Sequence, residues 1–254
     1  MGLSSGQELS LKTINHQQTT INDQQTIQPS NQQTMSKKQI FTFLRDLTAN
    51  NSKEWMDANR KQYQLAKNTW LAEIALILKR LAVHNPTLEQ IKPKETIMRI
   101  NNNRRFQPDK PLYKDNFGCS IGMSMSKPGF YIHLSPSGSF VGGGIYRPEK
   151  EVLQKIREAI DYDGARLRQL ASTPPLTDFY TGLDEDDQAL KTAPRDFPKD
   201  HPEVELLRRK NFTAIRALSE KEIISDDFPA LMEKAYLSLQ PLNNYLMQAV
   251  EFEE

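Results

Sequence analysis

The sequence predicts one α+β domain, in which an antiparallel β-meander is flanked by N-terminal and C-terminal helices. Three observations predict this fold. Apolar residues repeat at helical spacing on both sides of the centre of the chain. The centre alternates apolar and polar residues, as strands with one buried face do. The segments between these strands are too short for the crossovers that parallel strands need.

The domain is predicted to span residues 37–254 and to follow a disordered arm, residues 1–36. The arm contains 8 Gln, 3 Asn, 5 Ser and 5 Thr, and it has no aromatic residue. Such a segment cannot bury enough apolar surface to offset the entropy that it loses on ordering. A passive arm is therefore favoured over a Gln/Asn-rich association segment.

Two helices are predicted at the start of the domain. The second follows Asn51, which resembles an N-cap with Glu54 as its capping-box partner. An apolar stripe from Trp55 to Leu81 indicates that this second helix is long. The apolar positions of the first helix fall at helical spacing: Ile40, Phe41, Leu44 and Leu47.

A change of period predicts strands in the middle of the chain. Within residues 130–135 the apolar side chains fall on one face, and Tyr131 and His133 fall on the other. Pro136 and Gly138 mark the turn that follows. The predicted strands are residues 96–100, 117–123, 130–135 and 139–146.

Helices return after Pro148, a residue favoured in the first turn of a helix. Asp200 is expected to cap a short helix that starts at Pro202. Residues 212–218 are ambiguous, and a strand is one interpretation.

Ser219 and Glu222 form a second predicted capping box. Two C-terminal helices are expected after it, at about 227–238 and 241–251, separated at Pro241.

Composition excludes several classes of protein. Lys plus Arg is 33 and Asp plus Glu is 32, which argues against a globally basic nucleic-acid binder. Cys119 is the single cysteine and the four histidines are scattered, so neither a disulfide nor a zinc motif is predicted. No apolar run reaches the ~18 residues of a membrane span. The N-terminus lacks the apolar core of a signal peptide, and the cytoplasm is the expected location.

The most informative segment is KPKETIMRINNNRRFQPDKPLYK, residues 92–114. It holds seven basic residues against Glu95 and Asp109, and it also contains Phe106. The guanidinium of Arg matches carboxylate or phosphate, and Lys adds a point charge. The alternative is a solvated loop whose charges pair with the acidic run at 184–187. The candidate ligand-binding residues here are Arg99, Arg105, Lys110, Tyr113 and Lys114.

His133 is the candidate general acid or base, because histidine exchanges protons near neutral pH. No nucleophile or carboxylate stands at a diagnostic spacing, so a hydrogen-bonded structural histidine is the alternative. The glycines at 142–144 could cradle a phosphate, but a bulge or the close packing of another chain segment against the sheet is favoured. His201 is expected to belong to a helix start, and Cys119 to pack as a small apolar residue.

Four motifs resemble the family called domain of unknown function 2461: FTFLRDLTANNSKEW, RINNNRRFQPDKPLYKDNFG, FYIHLSPSGSFVGGGIYRPE and LKTAPRDFPKDHPEVELLRRKNF. The resemblance covers about residues 40–239 and implies an α+β domain, but no reaction. It adds Asp109 and Lys210 to the candidate ligand-binding residues. The chain departs from the family pattern at Asn102 and Asn103, where Arg and Asp are expected.

The favoured function is the binding, with or without turnover, of a small anionic or phosphate-containing ligand at this basic and aromatic segment. One alternative is a nucleic-acid-binding module that uses the same segment, although the near-zero net charge counts against it. Another is a non-catalytic protein-interaction domain. The sequence identifies no cofactor, metal site or reaction, and it does not indicate an oligomeric state.

Overall fold

A computed structural model describes residues 34–252 of the protein, and these residues form one domain. All but the last three residues of the predicted arm lie outside the described residues. Within that range the predicted α+β fold is confirmed: helices precede and follow a four-stranded antiparallel sheet. The helices are α1 Lys37–Ala49, α2 Lys53–Ala58, α3 Arg60–Ala82, α4 Pro93–Thr96, α5 Lys150–Ser172, α6 Val204–Leu207, α7 Glu220–Ile224 and α8 Phe228–Glu251. The strands are β1 Phe117–Ile121, β2 Gly129–Leu134, β3 Ser139–Ile145 and β4 Phe212–Leu218.

Helix α1 begins with a capping box. The Ser36 hydroxyl accepts from the N–H of Gln39, and the Gln39 side chain accepts from the N–H of Ser36. Just before it, the N–H and C=O of Met35 both bond the Thr69 hydroxyl, at 2.8 and 3.0 Å. Met35 and Ser36, which were assigned to the arm, therefore contact the domain.

The prediction that Asn51 caps the second helix is wrong. Ser52 is the N-cap of α2, and its hydroxyl accepts from the N–H of Trp55 at 3.1 Å. Asn51 instead bonds Tyr113: its Nδ2 donates to the carbonyl and its Oδ1 accepts from the N–H, both at 2.9 Å. The predicted long helix also divides at Asn59, which has φ −105° and ψ 15°.

The strand expected at residues 96–100 is also wrong. Pro93 starts the single helical turn α4, and the Glu95 carboxylate accepts from the N–H of Lys92. Residues 97–116 lie between this turn and β1 and form no strand. They take part in two isolated bridges, Ile97 with Cys119 and Asn101 with Tyr113.

The sheet has strand order β1-β2-β3-β4, and residues 212–218 are its fourth strand. Cys119, Ile132 and Val141 are in register, and all three are buried on the face that packs on the helices. Gly118, His133 and Phe140 are in register on the opposite face, which we call the outer face. Because alternate residues of a strand point to opposite sides, the outer face carries the half-exposed side chains.

The C-terminal helices were expected to be separate, but α8 continues through Pro241. Its buried residues Leu239, Leu242 and Leu246 keep helical spacing on both sides of the proline, and this packing outweighs the lost hydrogen bond.

Asp200 does not cap a helix at Pro202. Helix α6 begins at Val204 and Glu203 is its N-cap. His201 lies beside this start, where its Nδ1 accepts from the N–H of Glu203 at 3.0 Å. Its Nε2 lies 3.1 Å from Asp161. The start of α6 therefore occupies one nitrogen of this imidazole, and Asp161 of α5 contacts the other.

Candidate functional site

The basic segment forms a loop with a closed base. We call residues 99–114 the basic loop. The N–H of Asn102 donates to the carbonyl of Leu112 at 3.0 Å, and the N–H of Lys114 donates to that of Ile100 at 2.7 Å. The Asn51 side chain holds Tyr113 from the other side. Backbone bonds thus fix the base in place.

The tip of the basic loop, residues 103–110, is exposed throughout. Asn103 Oδ1 accepts from the N–H of Arg105 at 3.2 Å, and Asn102 Nδ2 donates to the carbonyl of Pro111 at 2.9 Å. The Arg104 guanidinium donates to the carbonyl of Pro108. The two asparagines that depart from the family pattern therefore hold the shape of the loop.

Three predicted site residues come together beside β2. Lys114 is half-buried, and burial, with the nearby charge of Arg99, lowers the pKa of its ammonium. The backbone brings this pair towards His133, because the N–H of Met98 donates to the carbonyl of Gly118 at 3.0 Å, and Gly118 pairs with His133. The charges of Lys114 and Asp115 both affect the pKa of His133. We call Arg99, Lys114, Asp115 and His133 the inner cluster.

His133 lies on the outer face among aromatic rings. Its ring stacks on Phe140, with the centroids 4.7 Å apart, and its Nδ1 lies 3.3 Å from the Tyr131 hydroxyl. Burial lowers the pKa of His133; Asp115 raises it and Lys114 lowers it further. The imidazole is therefore neutral at neutral pH.

The Asp115 carboxylate accepts hydrogen bonds from uncharged side chains. It accepts from Asn116 Nδ2 and from the Ser137 hydroxyl, both at 3.0 Å. Burial alone would raise the pKa of Asp115, but these hydrogen bonds outweigh it and hold the pKa below its usual value. Asp115 is thus ionised, and it contributes one negative charge to the inner cluster.

The cations of the basic loop lack acidic partners within residues 34–252. None of the ion pairs there involves Arg99, Arg104, Arg105, Lys110 or Lys114. The acidic run at 184–187 instead accepts hydrogen bonds from backbone N–H groups in β4 and just before it. Asp186 accepts from the N–H groups of Lys210 and Asn211, and Asp184 from that of Ile215. The expected pairing between that run and the basic loop is therefore not the arrangement found.

The remaining predicted residues lie apart from the inner cluster. Arg105, Asp109 and Lys110 are on the exposed tip. Tyr113 is buried in the core. Lys210 precedes β4, whose start pairs with the end of β3, whereas His133 pairs with the start of β3. Lys210 is therefore at the opposite end of the sheet.

Glycines shape the outer face. A Cβ on Gly118 would lie 2.6 Å from the Tyr131 hydroxyl, so glycine lets the tyrosine ring cross β1. A Cβ on Gly142 would lie 2.7 Å from the carbonyl oxygen of Ala214. The glycines at 142–144 thus allow close packing of neighbouring strands, the favoured interpretation.

A cavity of about 880 Å³ lies between α5 and α8, and none of the predicted site residues lines it. Two cations, Lys155 and Arg166, and two carboxylates, Glu158 and Asp163, are among its lining residues. With balanced charge, this cavity does not favour an anion.

Sequence reasoning missed two residues of the site, Asp115 and Phe140. The turn at 136–138 fixes the register that places Phe140 opposite His133, so counting back from that turn could have found it. No sequence signal marks Asp115, because its donor Ser137 lies in that turn, 22 residues further along the chain.

Among residues 34–252, no group of three His, Cys, Asp or Glu side chains is arranged to hold a metal ion. No helix in that range is both long enough and apolar enough to cross a membrane.

Comparison with known proteins gives a family and no activity. Residues 39–245 match the family described as Conserved hypothetical protein (DUF2461). No curated protein matches the chain, and no solved structure does. Since the match spans most of the sequence and agrees with the four motifs, this chain belongs to the DUF2461 family.

Proposed function

We propose that the protein binds a small phosphate-bearing anion at the inner cluster, with Lys114 and Arg99 as its ligands. One observation carries the proposal: Lys114 is half-buried beside Arg99, and no carboxylate pairs with either within the described residues. Burying a cation next to another cation costs free energy. A bound anion would offset this cost by restoring charge balance.

His133 would face the same ligand from the outer face. Its Nδ1 is near the Tyr131 hydroxyl, and the neutral imidazole can accept a proton. Asp115 is held ionised by its hydrogen bonds, so it is a poor proton donor. If the protein turns its ligand over, His133 is the general acid or base that the inner cluster offers.

A thermal-shift assay with inorganic phosphate, sugar phosphates and nucleoside monophosphates tests the proposal. A ligand at about one hundred times its dissociation constant stabilises the native state by about 2.7 kcal/mol. For a domain of this size we expect the midpoint to rise by roughly 5–10 °C. Lys114→Gln should abolish that rise.

The matched control is Lys79→Gln, near the end of α3, which should keep the full rise. Arg105→Ala should also keep most of it, because Arg105 lies on the exposed tip. A ligand-induced rise that survives in Lys114→Gln, or no rise with any of these anions, would rule out the site.

The proposed compartment is the cytoplasm. Cys119 is a free and buried thiol, and a reducing environment suits it. Fractionation of cells expressing a tagged chain would test this, and recovery in a secreted fraction would contradict it.

A further inference from the structure

We infer that the phosphate at the inner cluster belongs to single-stranded nucleic acid, and that the strand continues along the basic loop. This inference rests on the proposed function, because it names the source of the anion. It extends the proposed site to the exposed tip of the basic loop, which a small ligand at the inner cluster would not contact.

The first argument is the distribution of charge. A single phosphate group needs Lys114 and Arg99, yet Arg105 and Lys110 stand on the tip and make no ion pair within the described residues. Cations spaced along an exposed loop fit a ligand with repeated phosphates. The net charge of +1 gives almost no overall attraction for nucleic acid, so the local field of the basic loop would have to supply it.

The second argument is the aromatic side chain at the tip. Phe106 is 81% exposed, and the Arg105 guanidinium lies 5.2 Å from its ring centroid. An apolar ring held in water beside cations is the arrangement on which unpaired bases stack. A nucleobase would remove the Phe106 face from water while its phosphates meet Arg105 and Lys110.

The third argument is the outer face of the sheet. Tyr131, His133 and Phe140 form a half-exposed aromatic group beside the inner cluster. Because Gly118 has no side chain, the Tyr131 ring lies across β1 and extends this aromatic surface. One aromatic surface at the tip and another on the outer face suit bases that are splayed out, which a duplex does not offer.

Fluorescence anisotropy with the full chain tests this inference. Labelled single-stranded DNA and RNA of about ten nucleotides, within the range of single-strand site sizes, are titrated at low salt. The matching duplex and a mononucleotide serve as comparison ligands. We expect the single strands to bind at least tenfold more tightly than the mononucleotide, because more phosphates and bases are engaged.

Phe106→Ala should weaken oligonucleotide binding by about fivefold or more and leave mononucleotide binding unchanged. Lys110→Gln should reduce the slope of log affinity against log salt by about 0.7. Tyr162→Ala is the matched control, since Tyr162 is 93% exposed on α5, and it should bind as the wild type does. Phe106 is exposed, so its variant should keep its fold, as a thermal melt would verify.

Equal affinity for oligonucleotide and mononucleotide would overturn the inference, as would tight binding unaffected by Phe106→Ala or equally tight duplex binding. In those cases a mononucleotide shift that Lys114→Gln abolishes would leave the proposed function intact. If neither ligand binds, both proposals fall.

Discussion

At the scale of single residues, His133 shows how burial and neighbouring charges set the pKa of a side chain. Its folded pKa lies below the unfolded value of about 6.5, chiefly because burial disfavours the imidazolium. The unfolded chain therefore binds more protons than the folded one between these two pKa values. The contribution to stability is complete above about pH 6.5 and is lost as pH falls through the folded pKa.

We therefore expect the free energy of unfolding to fall more steeply between pH 7 and pH 5 in the wild type than in His133→Gln. Urea denaturation of both proteins across this range measures the difference. Parallel curves for the two proteins would show that His133 is not held neutral by its surroundings.

The types of residue at the site were predictable, but their grouping was not. The basic loop and His133 could be selected from charge and strand alternation. The closed base of the basic loop leaves Arg105 and Lys110 on the exposed tip, apart from Lys114. Asn51 bonds Tyr113 and does not cap the second helix. A contact between residues 62 positions apart has no local signature, so sequence periodicity could not reveal it.

At the scale of elements, Gly144 determines how closely β3 and β4 pack. Its φ is +104°, and a Cβ there would clash with the carbonyl oxygen of Phe212. Gly122 also has a positive φ, of +74°, but nothing lies within 4 Å of the position its Cβ would take. Comparison of substitutions at the two glycines therefore separates the free-energy cost of backbone strain from that of a steric clash.

We expect Gly122→Ala to cost about 1 kcal/mol of stability, from conformational strain alone. Gly144→Ala should cost about 3 kcal/mol or more, because the backbone of β4 must also move. Chemical denaturation of both variants makes the comparison. Equal losses would show that β4 relaxes away from the new methyl group without cost.

Elements were predicted well where one face is buried along their whole length. The sheet strands β1, β2 and β3 and the helices α1 and α5 follow their apolar patterns closely. Two of the errors fall at residues 96–100, just after proline and a capping glutamate make a helical turn, and at Pro241, where core packing keeps α8 continuous. In both places a competing interaction outweighed the local pattern.

At the scale of the whole molecule, Cys119 reports on the integrity of the core. The thiol is fully buried and donates to the Thr96 hydroxyl at 3.3 Å. Burial raises its pKa to about 11, so the reactive thiolate is scarce in the folded protein.

A thiol reagent at pH 8 should therefore leave the native protein unmodified and label it only as it unfolds. The urea midpoint for labelling should coincide with the midpoint from circular dichroism, because Cys119 lies within β1. Rapid labelling without denaturant would reveal that the sheet opens locally.

The closed base of the basic loop affects which sequence changes the domain can tolerate during evolution. Its hydrogen bonds run between main-chain groups and the Asn51 amide, so they do not depend on which side chains occupy the tip. Insertions, deletions and substitutions at 103–110 leave the folding of the domain largely untouched. Selection can therefore alter what the tip recognises without a matching loss of thermodynamic stability.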